Sequence, residues 1–317
     1  MSTPRTEWDV IVVGGGSAGL SAALMLGRSR RRVLVIDANR PRNAVAPHMH
    51  GVLGRDHTSP LDLLAAGRAE LTRYDVAVES GAAASAATLE DADEPGFEVV
   101  LDSGERYSAR RVLVTTGLVD ELPDIPGIAE QFGRGVVLCP YCDGWEVRDR
   151  RVAVIAAASL DPHQAQLMRQ LTPDVVFHTN GATLPAKART ELEARGIAIE
   201  ERAVAGVDAD EGGAIRGIRL ADGSTNPADV VFVASRAVPN SAVLRDLRAR
   251  TMRHSGVDWA LVDDDGRTSV RGLYAAGNVV SARSSVPWAM ASGSLAGIAI
   301  NGDLVDEDVR RAVAAHG

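Results

Sequence analysis

Residues 8–38, WDVIVVGGGSAGLSAALMLGRSRRRVLVIDA, decide the fold of this chain. The apolar run DVIVV is typical of a buried strand, and a glycine-rich turn follows it directly. AGLSAALMLGRS carries its apolar residues at helical spacing, and RRVLVID reads as a second strand. A G-x-G-x-x-G turn between a strand and a helix, with an acid at the end of the next strand, predicts a dinucleotide-binding unit.

The residues of this turn have separate physical roles. Gly14 permits the tight turn, Gly16 lets the backbone approach a pyrophosphate, and Gly19 lets the helix pack closely on the strand. Ser17 and Ala18 begin the helix, whose free N–H groups and partial positive charge attract phosphate. The alternative is a glycine-rich turn that serves packing alone.

Asp37 ends the second strand, where a carboxylate accepts hydrogen bonds from a ribose. An acid at this position, rather than a basic residue, favours an unphosphorylated ribose, as in FAD or NAD.

Length and composition exclude several classes of protein. The 317 residues suggest about two domains. A net charge of −8 and an aromatic content of 4% argue against a nucleic-acid partner, which needs a basic surface and rings for base stacking. No apolar run reaches the length of a membrane span, and the N-terminus lacks the pattern of a signal peptide, so we expect a cytoplasmic protein with no membrane partner.

Both cysteines of the chain lie in LCPYCDGWEV, residues 138–147. A lone C-x-x-C pair in a reducing compartment indicates thiol–disulfide exchange or metal binding rather than a structural staple. Zinc normally takes four ligands and there is no second cysteine pair, so we expect no metal.

Two further segments help to distinguish FAD from NAD as the cofactor. RRVLVTTG (110–117) and TSVRGLYAAGNV (268–279) each read as a strand that ends at a glycine. With the first turn, they resemble the flavoprotein disulfide reductases that have two dinucleotide domains, in which the first cradle holds FAD. The resemblance implies further contacts to FAD from Asn43, Thr116, Gly117, Gly277 and Asn278. Asn278 stands where that family has an acid, and its amide can still form a hydrogen bond.

The cysteine segment closely resembles the redox centre of the low-molecular-weight thioredoxin reductases, in its mid-chain position and in the Asp-Gly that follows Cys142. The resemblance implies that Cys142 faces flavin C4a and that Cys139 meets the substrate. It also implies that Asp143 donates and accepts the thiol proton. A helix start at the pair would lower a thiol pKa. The alternatives are two packed thiols and an acid that only caps the helix.

The resemblance covers nearly the whole chain and implies an α/β fold with two Rossmann-like domains, the second inserted into the first. Residues 1–117 and 239–317 form the FAD-binding domain. Residues 118–238 form the inserted domain that carries the cysteine pair. The family usually forms homodimers, so we expect one here.

The nicotinamide motif expected in the inserted domain is missing. RVAVI (151–155) reads as the first strand of a second cradle, but Ala156, Ala157 and Ala158 replace the glycines. Each adds a Cβ where backbone must approach phosphate. Asp161 then places a negative charge where the pyrophosphate would lie.

The cluster of residues that holds the 2′-phosphate of NADPH is also incomplete. His178 matches the family pattern, but Thr179 and Asn180 replace its arginines, and Lys187 comes too late in the chain to substitute for them. We therefore predict a domain that no longer binds NADPH well. The alternative is a divergent site that still works.

An intact cysteine pair beside a lost NADPH site resembles the thioredoxin-reductase-like dithiol oxidases, which include the enzymes that close the disulfides of gliotoxin and holomycin. That resemblance implies a small-molecule dithiol substrate, with dioxygen as the electron acceptor and hydrogen peroxide as the product. Members often carry His after the second cysteine, whereas Asp143 is typical of the reductases. The alternatives are a thioredoxin or disulfide reductase fed by ferredoxin or by an atypical NAD(P)H mode, and a flavin-bound redox sensor.

Four other side chains are candidates for the substrate site. His50, in PHMHGVLGRD (47–56), falls in a loop that approaches the flavin in the family, and Trp288 falls where the family has small residues near the flavin ring. Tyr141 and Trp145 flank the cysteine turn. For each of them, packing or surface exposure is the competing interpretation.

Overall fold

The computed structural model describes residues 7–89, 94–156 and 160–316. The chain divides into two compact units. Unit 1 contains the segment that ends at Ala44, Ser59–Val119 and the segment from Ala237 onward, and unit 2 contains Val45–Thr58 and Asp120–Arg236. The α/β fold is confirmed. The loop 45–58, which the motifs assign to the first domain, belongs to unit 2.

Unit 1 begins with the strand–helix–strand unit expected from the glycine motif. Its first elements are β1 (Trp8–Val13), α1 (Ser17–Arg28), β2 (Val33–Asp37), α2 (Pro60–Leu71), β3 (Ala77–Ser80), β4 (Ala83–Thr88), β5 (Phe97–Leu101) and β6 (Arg106–Val114). These strands lie in the order β3-β2-β1-β6-β5-β4. β1 pairs in parallel with both β2 and β6, whereas β4, β5 and β6 form an antiparallel meander.

The continuous apolar run of β1 reflects burial on both faces of the sheet, as is usual for a central parallel strand. Val10 and Val12 join one core cluster, which includes Leu26 of α1. Ile11 and Val13 join the cluster on the opposite face.

Unit 2 has a smaller parallel sheet. Its elements, with the two crossover strands β7 and β16, are β7 (Leu118–Glu121), α3 (Ile128–Gln131), β8 (Val136–Val137), α4 (Pro140–Asp143), β9 (Val152–Ile155), α5 (His163–Met168), β10 (Val175–His178), α6 (Ala186–Ala194), β11 (Ala198–Glu200), β12 (Val204–Ala209), β13 (Ile215–Leu220), β14 (Thr225–Pro227), β15 (Val230–Val233) and β16 (Arg236–Pro239). The parallel order is β11-β10-β9-β15-β8, and β12, β13 and β14 form a separate antiparallel sheet.

The last part of the chain completes unit 1. Its elements are α7 (Ala242–Asp246), β17 (Thr251–His254), β18 (Val257–Ala260), β19 (Leu273–Ala275) and α8 (Val286–His316). β19 pairs in parallel with β6, and α8 packs along α1. Among the described residues, no helix combines the length and the apolar character that a membrane crossing requires.

Candidate active site

The glycine turn of unit 1 is shaped for close backbone packing and leaves space beside one glycine. Gly14 has φ of +111°, and a Cβ there would lie 2.4 Å from the carbonyl oxygen of Thr115. A Cβ on Gly19 would lie 1.9 Å from the carbonyl oxygen of Gly14. A Cβ on Gly16 would meet nothing within 4 Å. Gly14 and Gly19 are therefore required by the fold, whereas the space beside Gly16 is open to a ligand.

The first turn of α1 keeps its N–H groups available. Gly16 is the N-cap and has no side chain to cap the helix, and the first turn contains no acid. The position of Ser17 in this turn fits the anion site expected at a helix start. Ala18 is buried, and a Cβ on Gly277 or Gly293 would collide with it. The side chain of Ala18 thus serves packing, while its backbone remains in the helix start.

Asp37 lies at the end of β2 beside the glycine turn. It is 8% exposed, and its carboxylate accepts hydrogen bonds from the Arg68 guanidinium and, at 3.1 Å, from the backbone N–H of Asn39. A Cβ on Gly15 would lie 2.5 Å from Asp37 Oδ2. Gly15, which the G-x-G-x-x-G pattern leaves unspecified, is therefore what allows the acid to lie against the turn.

The TTG segment forms the rest of this edge. Thr115, which the motif reading missed, donates its hydroxyl to the carbonyl of Gly14 at 2.8 Å. Thr116 donates to the carbonyl of Asn240 at 2.6 Å, and the Asn240 N–H donates to Gly117 O at 2.9 Å. Asn240, which directly follows β16, thus holds the segment after β6 that carries Thr116 and Gly117.

The remaining residues expected to contact FAD also lie in unit 1. Gly277 has φ of +76°, as a turn after β19 requires. Asn278 donates its amide to the carbonyls of Ser281 and Ser284 at 3.0 and 3.1 Å, contacts that an aspartate could not make. Asn43 lies half-buried in a turn. The open helix start, the adjacent Asp37 and the strand-end turns fit a dinucleotide such as FAD.

In unit 2 the cysteine pair is joined as a disulfide across α4, with the Cα atoms 5.2 Å apart. Cys142 is exposed and Cys139 is half-buried. The helix is a single turn, so the expected effect of a long helix dipole is small here. The direct support for a thiolate is the N–H of Cys142, which donates to Cys139 Sγ at 3.1 Å.

Asp143 directly follows the pair and has a pKa raised to about 6. Burial is the main cause, because a desolvated carboxylate is costly, and the nearby negative charge of Glu146 adds to it. His50 opposes the shift. The Nε2 of His50 lies 3.6 Å from Glu146 Oε1, so the loop 45–58 places this histidine beside Glu146, three residues after Asp143. A carboxyl with a pKa near neutrality is suited to proton transfer.

The second cradle differs from the first at its helix start. Ala156 is half-buried after β9, and Ala157 and Ala158 lie outside the described residues. Asp161 Oδ1 accepts a hydrogen bond of 2.9 Å from the N–H of His163, the first residue of α5. Gln164 donates to the carbonyls of Leu138 and Val233, at the ends of β8 and β15. A carboxylate of the protein therefore already occupies an N–H group at the start of α5, where the first cradle leaves its N–H groups available.

The residues expected at the 2′-phosphate are equally unsuited to an anion. His178 is fully buried, and neither ring nitrogen has a hydrogen-bond partner among the described residues. Burial lowers its pKa to about 4, so the ring is neutral at pH 7. Thr179 is also buried, and the Asn180 amide oxygen accepts from the N–H of Val204. Lys187 is exposed and lies 3.8 Å from Glu191.

The three aromatic side chains that the sequence offers as substrate-site candidates are exposed. Tyr141 is 80% exposed and Trp145 is 63% exposed, with the Arg148 guanidinium stacked 4.3 Å from the Trp145 ring centroid. Trp288 lies in the first turn of α8 in unit 1 and is 54% exposed. More than half of each of these side chains is therefore exposed rather than packed in a core.

A glycine-rich cradle and a disulfide-bonded C-x-x-C pair in one chain fit one class, the flavin-dependent thiol–disulfide oxidoreductases. The chain belongs to the pyridine nucleotide-disulphide oxidoreductase family, whose model matches residues 8–293. The family resemblance expected from the motifs is therefore confirmed.

Individual relatives match over almost the full length. Thioredoxin reductase tcpT of Claviceps purpurea is 33% identical over 306 residues, which is 91% of this chain and 92% of that protein. Thioredoxin reductase aclD of Aspergillus oryzae is 29% identical and covers 95% of this chain and 98% of its own length. The crystal structure of HlmI is 40% identical, with a TM-score of 0.93 over 99% of this chain and 98% of that chain.

Proposed function

We propose that this chain is an FAD-dependent dithiol oxidase that closes a disulfide in a small-molecule dithiol and passes the electrons to dioxygen. The observation that carries the proposal is the contrast between the two cradles. At the start of α1 no side chain caps the helix and there is space beside Gly16, whereas at the start of α5 Asp161 Oδ1 accepts a hydrogen bond from the N–H of His163. FAD suits the first cradle, and the described residues of the second place a carboxylate at the helix start and a buried neutral histidine at the expected 2′-phosphate position.

The cysteines carry the exchange. A substrate thiolate attacks Cys139 Sγ, the bond to Cys142 breaks, and Cys142 leaves as a thiolate. The second substrate thiolate attacks the mixed disulfide, which releases the substrate as a disulfide and leaves Cys139 reduced. When bound, FAD would supply the two-electron chemistry: Cys139 and Cys142 would re-form their disulfide, and the electron pair would pass through the flavin to dioxygen, which with two protons becomes hydrogen peroxide.

Asp143 moves the protons. Its carboxylate accepts a proton from the attacking substrate thiol, and its raised pKa lets it return that proton to a cysteine thiolate. Exposed Tyr141 and Trp145 offer apolar surface beside the pair to a small cyclic dithiol.

The second candidate is a reductase of thioredoxin or of another disulfide, fed by ferredoxin or by an atypical NAD(P)H mode. It is favoured by Asp143, which the reductases have at this position, and by relatives that are named thioredoxin reductases. In that direction electrons leave the flavin, and the cysteine pair reduces the substrate.

The test is an anaerobic titration of the purified holoenzyme, followed by the visible absorbance of its flavin. For the oxidase, a small dithiol bleaches the flavin, NADPH does not, and air restores the colour with release of one hydrogen peroxide per flavin. Bleaching by NADPH, or by reduced ferredoxin together with reduction of added thioredoxin, would favour the reductase. The Cys142→Ser variant is the control, because it keeps the cradle but loses the disulfide.

A further inference from the structure

We propose that unit 2 contains a binding site for one divalent transition metal ion of the zinc class, formed by His50, His57 and Glu146. One ligand atom from each side chain lies within 4.8 Å of those of the other two. The site does not use the cysteines, so the cysteine count from which we expected no metal has no bearing on it.

The distance between two of the three side chains is that of ligands around an ion rather than of a hydrogen-bonded pair. His50 Nε2 lies 3.6 Å from Glu146 Oε1, which is too long for a hydrogen bond. Two ligands bound to zinc at about 2.0–2.2 Å in tetrahedral geometry are separated by about 3.3–3.6 Å. The His50–Glu146 pair therefore already has the spacing that a shared ion requires.

A carboxylate lies near the other ring nitrogen of His50. Asp56 Oδ1 lies 3.7 Å from His50 Nδ1, beyond hydrogen-bond distance, and accepts a hydrogen bond of 2.9 Å from the N–H of Gly51. A carboxylate that accepts a hydrogen bond from a ligating imidazole orients the ring and makes its free nitrogen a better ligand. A small movement of the His50 ring toward Asp56 would give His50 Nε2 this support.

The loop 45–58 holds the two histidines together before any ion binds. The Met49 N–H donates to Thr58 O at 2.9 Å, and the His57 N–H donates back to Met49 O at 3.1 Å. His57 has φ of +61°, and its ring meets that of His50 edge to face with the centroids 4.5 Å apart. The His57 side chain is 67% exposed, so a rotation about its side-chain bonds can bring its nitrogen to the ion.

The ligand set indicates the class of metal. Two imidazoles and one carboxylate suit Zn²⁺ and neighbouring transition ions, whereas Mg²⁺ and Ca²⁺ prefer oxygen ligands. Three protein ligands leave the fourth position to water. His50 and Glu146 are also neighbours of Asp143, so the ion would lie close to the cysteine turn.

The test is isothermal titration of the chelator-treated holoenzyme with Zn²⁺, with the cysteine disulfide closed so that the thiols cannot bind metal. We expect one ion per chain. His57→Ala should weaken binding by at least about 100-fold, and Asp56→Asn by about 10- to 100-fold, the usual effect of losing an outer-shell partner. His163→Ala removes an exposed histidine of the same unit and should leave the affinity unchanged.

The flavin spectrum of each variant checks that it is folded, and Glu146→Gln gives a second test at a different ligand. The proposal is wrong if the oxidised enzyme binds no Zn²⁺. It is equally wrong if His57→Ala and Glu146→Gln bind it as tightly as the parent, or if the ion binds only after the disulfide is reduced. None of these outcomes depends on dithiol turnover, so this experiment tests the metal site independently of the proposed oxidase activity.

Discussion

The pH dependence of dithiol attack should report the ionisation of Asp143. If its carboxylate is the base, the rate follows the ionised fraction of a group with a pKa of about 6. That fraction rises from about 9% at pH 5 to about 91% at pH 7. The rate should therefore rise about tenfold over this range and level off above it, whereas a carboxyl with an ordinary pKa would give an almost flat profile.

Asp143→Asn removes the base without removing the side-chain volume. The remaining reaction depends on free substrate thiolate, so its rate should rise about tenfold per pH unit well below the thiol pKa of about 8.5, with no bend near pH 6. At pH 7 we expect a loss of about 10²- to 10⁴-fold. Asp149→Asn changes an exposed acid of the same segment and should leave the profile intact.

The assay is anaerobic rapid mixing of the holoenzyme with a small dithiol, with flavin bleaching as the signal and a chelator present throughout. Glu146→Gln should move the bend to lower pH, because it removes a negative charge that raises the pKa of Asp143. His50→Gln should move the bend to higher pH, because the histidine opposes that shift. A bend that persists in Asp143→Asn would refute the assignment of the base.

Three further predictions concern the cradle, the core and the cysteines. With the flavin removed, Gly16→Ala should melt at the same temperature as the parent, because its Cβ meets nothing within 4 Å, but it should retain at least about tenfold less flavin. Gly19→Ala should melt at a lower temperature, because its Cβ would overlap the Gly14 carbonyl; flavin content and thermal unfolding measure the two effects. The fully buried Glu307 forms ion pairs with the buried side chains of Arg110 and Arg111. Glu307→Gln removes this negative charge and should lower the free energy of unfolding in urea by about 3–5 kcal/mol. The exposed Glu193→Gln, which removes the ion pair with Arg189, should lower it by less than about 0.5 kcal/mol. Cys142→Ser should abolish flavin bleaching by dithiols, and full bleaching would show that the disulfide is not the entry point.

The parts of the fold that were predictable from sequence are those in which local pattern and tertiary environment agree. β1, α1 and β2 follow from an apolar run, three glycines and an acid, because each of these residues is required within its own unit.

The parts that were not predictable depend on contacts between distant segments. His50 and Glu146 are almost a hundred positions apart, and no local pattern indicates that the loop 45–58 lies beside the cysteine turn. His178 looks like a phosphate ligand in sequence, and only the packing around β10 reveals a buried neutral ring. The need for glycine at position 15 was not predictable from the local sequence, because the side chain that a Cβ would meet there, Asp37, lies at the end of another strand.

The position of β19 and α8 at the end of the chain sets an order of assembly during synthesis. α8 packs so closely on α1 that a Cβ on Gly293 would lie 2.0 Å from the carbonyl oxygen of Ala18. The ribosome needs roughly 13–50 s to make the ~260 residues that separate β1 from β19, at about 5–20 residues per second. Unit 2 is complete by Arg236 and can close while the sheet that began the chain still lacks its last strand and helix. The glycine turn of unit 1 is therefore completed after the cysteine turn of unit 2, although it comes earlier in the sequence.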